Sequence, residues 1–119
     1  MQMPTPEQVE QMMMDAFGEL PSSIEAAKAA DPSFLVEQAM SARLGTKSEK
    51  NVLDPKTTTM IFLAAALATG SEDCIEVNTS ALLKMGASKE EILSVVRIVR
   101  HAAFSKVVGD AKTVFDLLK

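Results

Sequence analysis

Apolar residues recur every three or four positions through most of this chain, and polar clusters interrupt them at regular intervals. Thr5-Pro6 followed by Gln8 reads as a capping box with proline at the first helical position. It opens a helix to about Phe17. Val9, Met12, Met13, Ala16, Phe17 and Leu20 form one stripe at helical spacing, and Gly18 breaks it. Pro21-Ser22-Ser23 starts a short second helix through Ala30. Asp31-Pro32 caps a third, whose buried side is expected to be Phe34, Leu35, Ala39 and Met40. The polar run from Gly45 to Asn51 is the clearest loop, and Met1 to Pro4 are expected to be disordered or loosely docked.

The stretch from Leu53 to Gly86 carries the strongest pattern. Asp54 is a candidate N-cap, with Pro55 at the first helical position, where its missing N–H costs nothing. Met60, Ile61, Leu63, Ala64, Leu67 and Ala68 then recur at helical spacing until Gly70 intervenes. Ser71 is placed to cap the next helix by accepting from the backbone N–H of Cys74. Cys74, the only cysteine, thus falls in a first helical turn, on one face with Asn78, Ala81, Leu82 and Met85. Gly86 ends this helix as a C′ glycine. Ser88 and Glu91 form a second capping box. Behind it, Ile92, Val95, Val96, Val99 and Ala103 are expected to face a core. Val107, Val108, Ala111, Val114, Phe115 and Leu118 follow. Between Ser88 and Lys119 neither proline nor a strong turn intervenes, so the residues alone allow one long helix. Strand-like alternation occurs nowhere. The pattern predicts an all-α chain.

The same stretch resembles the carboxymuconolactone decarboxylase / AhpD-like family. The resemblance rests on Leu53-Asp54-Pro55-Lys56-Thr57, on Gly70 through Asn78, and on Leu82 through Ile92. It extends loosely upstream to Gly18-Glu19-Leu20-Pro21 and Asp31-Pro32, and so covers nearly the whole chain. It implies a single domain over residues 1–119, an antiparallel bundle of about six to seven helices that assembles into trimers or hexamers. Family members break the helix that follows Ser88, often with a Gly and a Pro. Ala103 and Ser105 occupy those places here, which puts the expected break near Phe104-Ser105.

Length and charge narrow the function classes. At 119 residues the chain is long enough for one core but small for a self-sufficient one, so apolar residues on several helix faces predict a homo-oligomer. With 47% apolar residues and no Trp or Tyr, that core consists of Leu, Val, Ile, Met and Ala. A net charge of −4 argues against nucleic acid, which needs a concentrated basic face. The opening residues do not read as a signal peptide, and the apolar run MIFLAAALA is far short of the ~20 residues of a membrane span. One cysteine excludes an internal disulfide and fits a reducing cytoplasm, leaving open a bridge between subunits or to a small thiol.

Cys74 leads the candidate chemistry. A helix start favours a thiolate, whereas the neighbouring acids Glu72, Asp73 and Glu76 disfavour it. The plainer reading is a buried, inert small hydrophobe. AhpD-like members carry a Cys-x-x-Cys, a histidine four residues beyond the second cysteine, and a glutamate one helix earlier. The second cysteine attacks peroxide, the first resolves it as a disulfide, and Glu and His relay protons. By that resemblance the first cysteine position is Ser71 and the second Cys74; the histidine position is Asn78 and the glutamate position Thr59. Ser71 cannot form a disulfide, and neither Asn78 nor Thr59 titrates near neutrality, so neither replaces a general base. The decarboxylases of the family also rely on acid–base side chains in this region.

Arg97, Arg100 and His101 share one helical face. They form either an anion-binding edge, with His101 as a displaced acid–base group near Cys74, or simply a solvated basic stripe. Pairing of Arg97 or Arg100 with Glu72, Asp73 or Glu76 of another subunit is a further option. Met12-Met13-Met14, with Met3, reads as core or subunit interface before it reads as an adaptable binding surface. One His and one Cys, 27 positions apart, make no metal-ligand set, and no phosphate loop or other cofactor motif is present.

Three functions therefore stand in order. The first is a thiol-dependent redox protein (peroxidase or thiol–disulfide exchange) using Cys74 alone, resolved by another subunit, a small thiol or a thiol-reductant protein. The second is a non-enzymatic oligomer that keeps the fold as a scaffold or small-ligand binder. The third is a decarboxylase of a carboxymuconolactone-type substrate.

Overall fold

The computed structural model describes residues 2–119, and Met1 lies outside them. Residues 2–4 have no regular structure. Among the described residues there are seven helices and no strand. They are α1 (Pro6–Phe17), α2 (Ser22–Ala30), α3 (Ser33–Leu44), α4 (Pro55–Thr69), α5 (Glu72–Lys84), α6 (Lys89–Asp110) and α7 (Lys112–Leu117). No helix among the described residues is long and apolar enough to cross a membrane. The chain divides into two compact units, one ending at Asp54 and the other beginning at Pro55.

The first unit holds α1 to α3. Thr5 and Gln8 complete the expected capping box: the Gln8 N–H donates to Thr5 Oγ1 at 3.2 Å, and the Thr5 N–H to Gln8 Oε1 at 2.9 Å. Gly18 stops α1 at φ +82°, a left-handed conformation that a Cβ would strain. Val9, Leu35 and Val36 form the core, with Met13, Ile24, Ala39 and Met40 packed on it. Phe34 departs from the expectation. It is 51% exposed, and Val36 is buried in its stead. Helical rotation gives the reason: at 100° per residue Phe34 lies about 170° around α3 from the mean direction of Leu35, Val36, Ala39 and Met40, which pack in the core. Asp31 Oδ1 accepts from both the N–H and the hydroxyl of Ser33 where α3 starts. These two hydrogen bonds, the backbone one first, hold the Asp31 carboxyl below its usual range. Lys28 pairs with Glu10 at 2.8 Å across α2 and α1. After α3, residues 45–53 form a loop closed by its own polar groups, including Asn51 Nδ2 donating to the Thr46 carbonyl.

The second unit is built on α4. Its residues are apolar on every side, as a helix between two neighbours requires, and it packs on both α5 and α6. Leu63 of α4, Leu82 of α5, Ala87 and Val95 of α6 form the buried core, with Ile92 and Val99 beside them. Tight caps fold α4, α5 and α6 back on one another. Gly70, at φ +81°, ends α4 while the N–H groups of Gly70 and Ser71 bond to the Ala66 carbonyl. Gly86, at φ +84°, ends α5 in a Schellman arrangement: its N–H donates to the Leu83 carbonyl, and the Ala87 N–H to that of Leu82. Ser88 and Glu91 form the predicted capping box of α6. Glu91 also receives Lys56 Nζ at 2.5 Å, so the starts of α4 and α6 are tied together. That Lys56 contact, then the Ser88 N–H, holds the Glu91 carboxyl below its usual range.

The break expected near Phe104-Ser105 does not occur. Helix α6 runs without interruption to Asp110 and gives way to α7 only at Ala111. Ala103 and Ser105 both accept helical backbone, so nothing at that place withholds an N–H or demands positive φ. The first half of α6 alone serves the core. Ile92, Val95 and Val99 face α4, whereas Val96 is 42% exposed and Ala103 is exposed. Of the later apolar residues, Val107, Val108, Val114, Phe115 and Leu118 are exposed and Ala111 is half-buried.

Candidate functional site

The α4–α5 hairpin carries the residues that the resemblance singled out. Ser71 is the N-cap residue of α5 with extended backbone, and its carbonyl accepts from the Ile75 N–H at 2.9 Å. Its hydroxyl makes no cap hydrogen bond, contrary to the expected bond from the Cys74 N–H. Ser71 is therefore positioned by backbone geometry, through its own N–H on Ala66. Cys74 follows in the first turn, half-buried and unbridged.

Helical rotation separates Cys74 from two of the acids beside it in sequence. At 100° per residue, Glu72 and Glu76 lie about 160–200° around α5 from Cys74. Both are exposed. Cys74 shares its strip instead with Asn78, Ala81 and Met85. Asn78 is half-buried, but its amide does not address the thiol. Asn78 Nδ2 donates to the Cys74 backbone carbonyl at 2.7 Å, a bond from one helical turn back onto the same helix. The adjacent Thr79 does the same to the Ile75 carbonyl at 2.7 Å.

Thr59 is similarly engaged. Its hydroxyl donates to the Pro55 carbonyl at 2.7 Å and lies 3.8 Å from Met85 Sδ. Met85 is eleven residues beyond Cys74, about 16 Å along α5 at 1.5 Å per residue. The hairpin therefore puts Thr59 and Cys74 toward opposite ends of α5. The pairing of Lys56 with Glu91 shares the Thr59 end, and sequence reasoning missed it. Its only sequence signal was Glu91 in a capping box, which explains one carboxylate oxygen and leaves the other available for Lys56.

Arg97, Arg100 and His101 are all exposed on α6. His101 and Arg97 project from the side opposite Ile92, Val95 and Val99, and Arg100 from the flank. Among the described residues no hydrogen bond or ion pair joins these three, or the Cys74 thiol, to any partner. His101 and Cys74 thus form no acid–base couple within the described chain. Nor do any three His, Cys, Asp or Glu side chains among the described residues gather as a metal site.

The described chain is all-helical, and its Gly-hinged α4–α5 pair carries a half-buried thiol at the start of the second helix. Residues 35–116, about two thirds of the chain, match the model of the carboxymuconolactone decarboxylase family, and the chain belongs to that family. No curated protein matches it.

Proposed function

We propose that this chain is a non-enzymatic member of the family, which retains the helical scaffold and has given up its proton-relay chemistry. One observation carries the reading. At Thr59 and Asn78, the positions matched to the family's glutamate and histidine, polar atoms bond back to carbonyls of their own helices. A group engaged in this way, and without a proton to exchange near neutrality, does not relay one to or from Cys74. The decarboxylase reading fails on the same ground, because it too requires acid–base side chains there.

A second reading has its own support. Cys74 is only half-buried and sits in the first turn of α5. A single-cysteine exchange with a small thiol or a thiol-reductant protein would use that placement, and a lone reduced thiol suits the cytoplasm.

Alkylation of native Cys74 against pH, with intact mass after peroxide treatment, separates the two. The scaffold reading expects slow labelling at neutral pH and an unchanged mass with peroxide. Rapid labelling below neutral pH, with a sulfenic acid or mixed disulfide after peroxide, would sink it and establish Cys74 as a working nucleophile.

A further inference from the structure

Helix α6 carries two apolar stripes, and the second unit uses one of them: Ile92, Val95 and Val99 pack on α4. From Arg100 to Lys119 every residue is exposed except half-buried Ala111, so the end of α6 and α7 form an arm whose sides nothing else in the second unit covers. At 100° per residue, Phe104, Val107 and Val108 fall within an arc of about 100°, and Ser105, Lys106, Gly109 and Asp110 lie outside it. Ala111 turns the chain without losing this phase. Its N–H donates to the Val107 carbonyl and its carbonyl accepts from the Phe115 N–H, both at 3.0 Å. Val114, Phe115 and Leu118 therefore continue the apolar side, and all six of these apolar residues are more than half exposed. We infer that this arm is a docking surface for an anionic lipid bilayer, lying in the headgroup region with its apolar side toward the acyl chains.

Charge selects that partner. Residues 97–119 hold five of the chain's twelve Lys and Arg and two of its sixteen acids, a balance of +3, which leaves −7 on the 96 residues before them. Lys106 pairs with Asp110, and Lys112 and Lys119 pair with Asp116, all behind the apolar side. Arg97 and Arg100 emerge within the apolar arc and His101 at its edge. Neither arginine is in an ion pair among the described residues. Such stems lay their methylenes along an apolar surface while the guanidinium reaches a lipid phosphate. The acidic remainder of the chain is repelled by the same bilayer, which turns the arm toward it.

The form of the arm also favours a bilayer over a protein partner. Apolar and cationic side chains share one side of a helix that has no neighbouring wall, the pattern of a helix lying in the plane of a membrane interface. A protein would have to supply a groove both acidic and apolar, whereas a bilayer presents the two as layers at different depth. No helix among the described residues is long and apolar enough to cross a membrane, so the arm lies on the surface. Cys74 takes no part, and the docking stands beside either reading of that residue.

Cosedimentation of the full chain with vesicles tests it. With phosphatidylcholine containing about 30% phosphatidylglycerol, the protein should pellet at about 0.1 M salt and be largely released at about 1 M. Phosphatidylcholine alone should leave it in solution. Arg100→Gln should weaken the binding about fivefold. The chain has no Trp, so a single introduced indole reports only its own surroundings. Emission from Phe104→Trp should shift to the blue with the anionic vesicles, and emission from Ile98→Trp, exposed on the other side of α6, should not. If Phe104→Trp loses its helical circular dichroism, the salt dependence and Arg100→Gln decide the matter. No pelleting with anionic vesicles, equal pelleting with neutral ones, undiminished binding by Arg100→Gln, or equal shifts from the two indoles would each overturn the proposal. The first of these would leave the arm to an acidic protein or to a second copy.

Discussion

Single side chains in this protein show how far local hydrogen bonding decides what a position can do. Asn78 and Thr59 have the polarity of site residues, yet each turns its polar atom onto a backbone carbonyl four residues earlier. Restoring the family's residue types tests whether that is the obstacle. Asn78→His is expected to speed Cys74 alkylation at neutral pH, whereas Thr59→Glu alone should not, because Thr59 lies by Met85 at the far end of α5. Equal effects from the two would contradict the separation. At Glu91, a folded-state pKa held down by Lys56 and the Ser88 N–H gives a stabilisation that is complete above the carboxyl's ordinary value of 4.5. It is lost as pH falls through the lower folded-state value. Acid titration of urea stability should therefore show a shallower decline below pH ~5 in Glu91→Gln than in the parent.

At the scale of elements, caps and breaks obey local chemistry, while burial follows neighbours. Ser88→Ala removes the hydroxyl that accepts from the Glu91 N–H at 3.1 Å and should cost about 1 kcal/mol in urea unfolding. Gly86→Ala meets no atom within 4 Å, so its cost, about 1–2 kcal/mol, comes wholly from forcing a Cβ into φ +84°. The continuity of α6 has a sharper test. Ser105→Pro should remove helix and cost about 3 kcal/mol or more, since residue 105 lies inside an unbroken helix. Tolerance of that proline with unchanged circular dichroism would mean that the helix breaks where the resemblance placed the break.

For the whole molecule, the two cores are the relevant quantities. Leu35 and Leu82 are each fully buried, in clusters with no residue in common. Leu35→Ala and Leu82→Ala should each lose about 2–5 kcal/mol. The double variant should lose their sum to within about 0.5 kcal/mol, because the sites share no partner. A clear departure from additivity in urea unfolding would reveal coupling between the clusters.

The two capping boxes, the glycine stops at Gly18, Gly70 and Gly86, and the position of Cys74 in a first turn were legible in the residues. Each depends on interactions within a few positions, and a backbone N–H at a helix start selects its acceptor locally. The buried side of α3 was misjudged at one residue, because Phe34 lies on the helix face opposite Leu35, Val36, Ala39 and Met40 and turns outward. The inward face of α6 was overestimated for another reason. Periodicity identifies apolar residues but not which of two apolar stripes has a neighbour, and only α4's packing against Ile92, Val95 and Val99 settles that. The pairing of Lys56 with Glu91 needed α6 to pack on α4, and the distance between Thr59 and Cys74 needed the α4–α5 hairpin to be closed. Sequence by itself determined the all-helical class, the capped and glycine-stopped helix ends and the family, because these arise from short-range chemistry. Tertiary structure alone decided which faces meet and which reactive groups stay apart, because those depend on contacts between residues far apart in the chain.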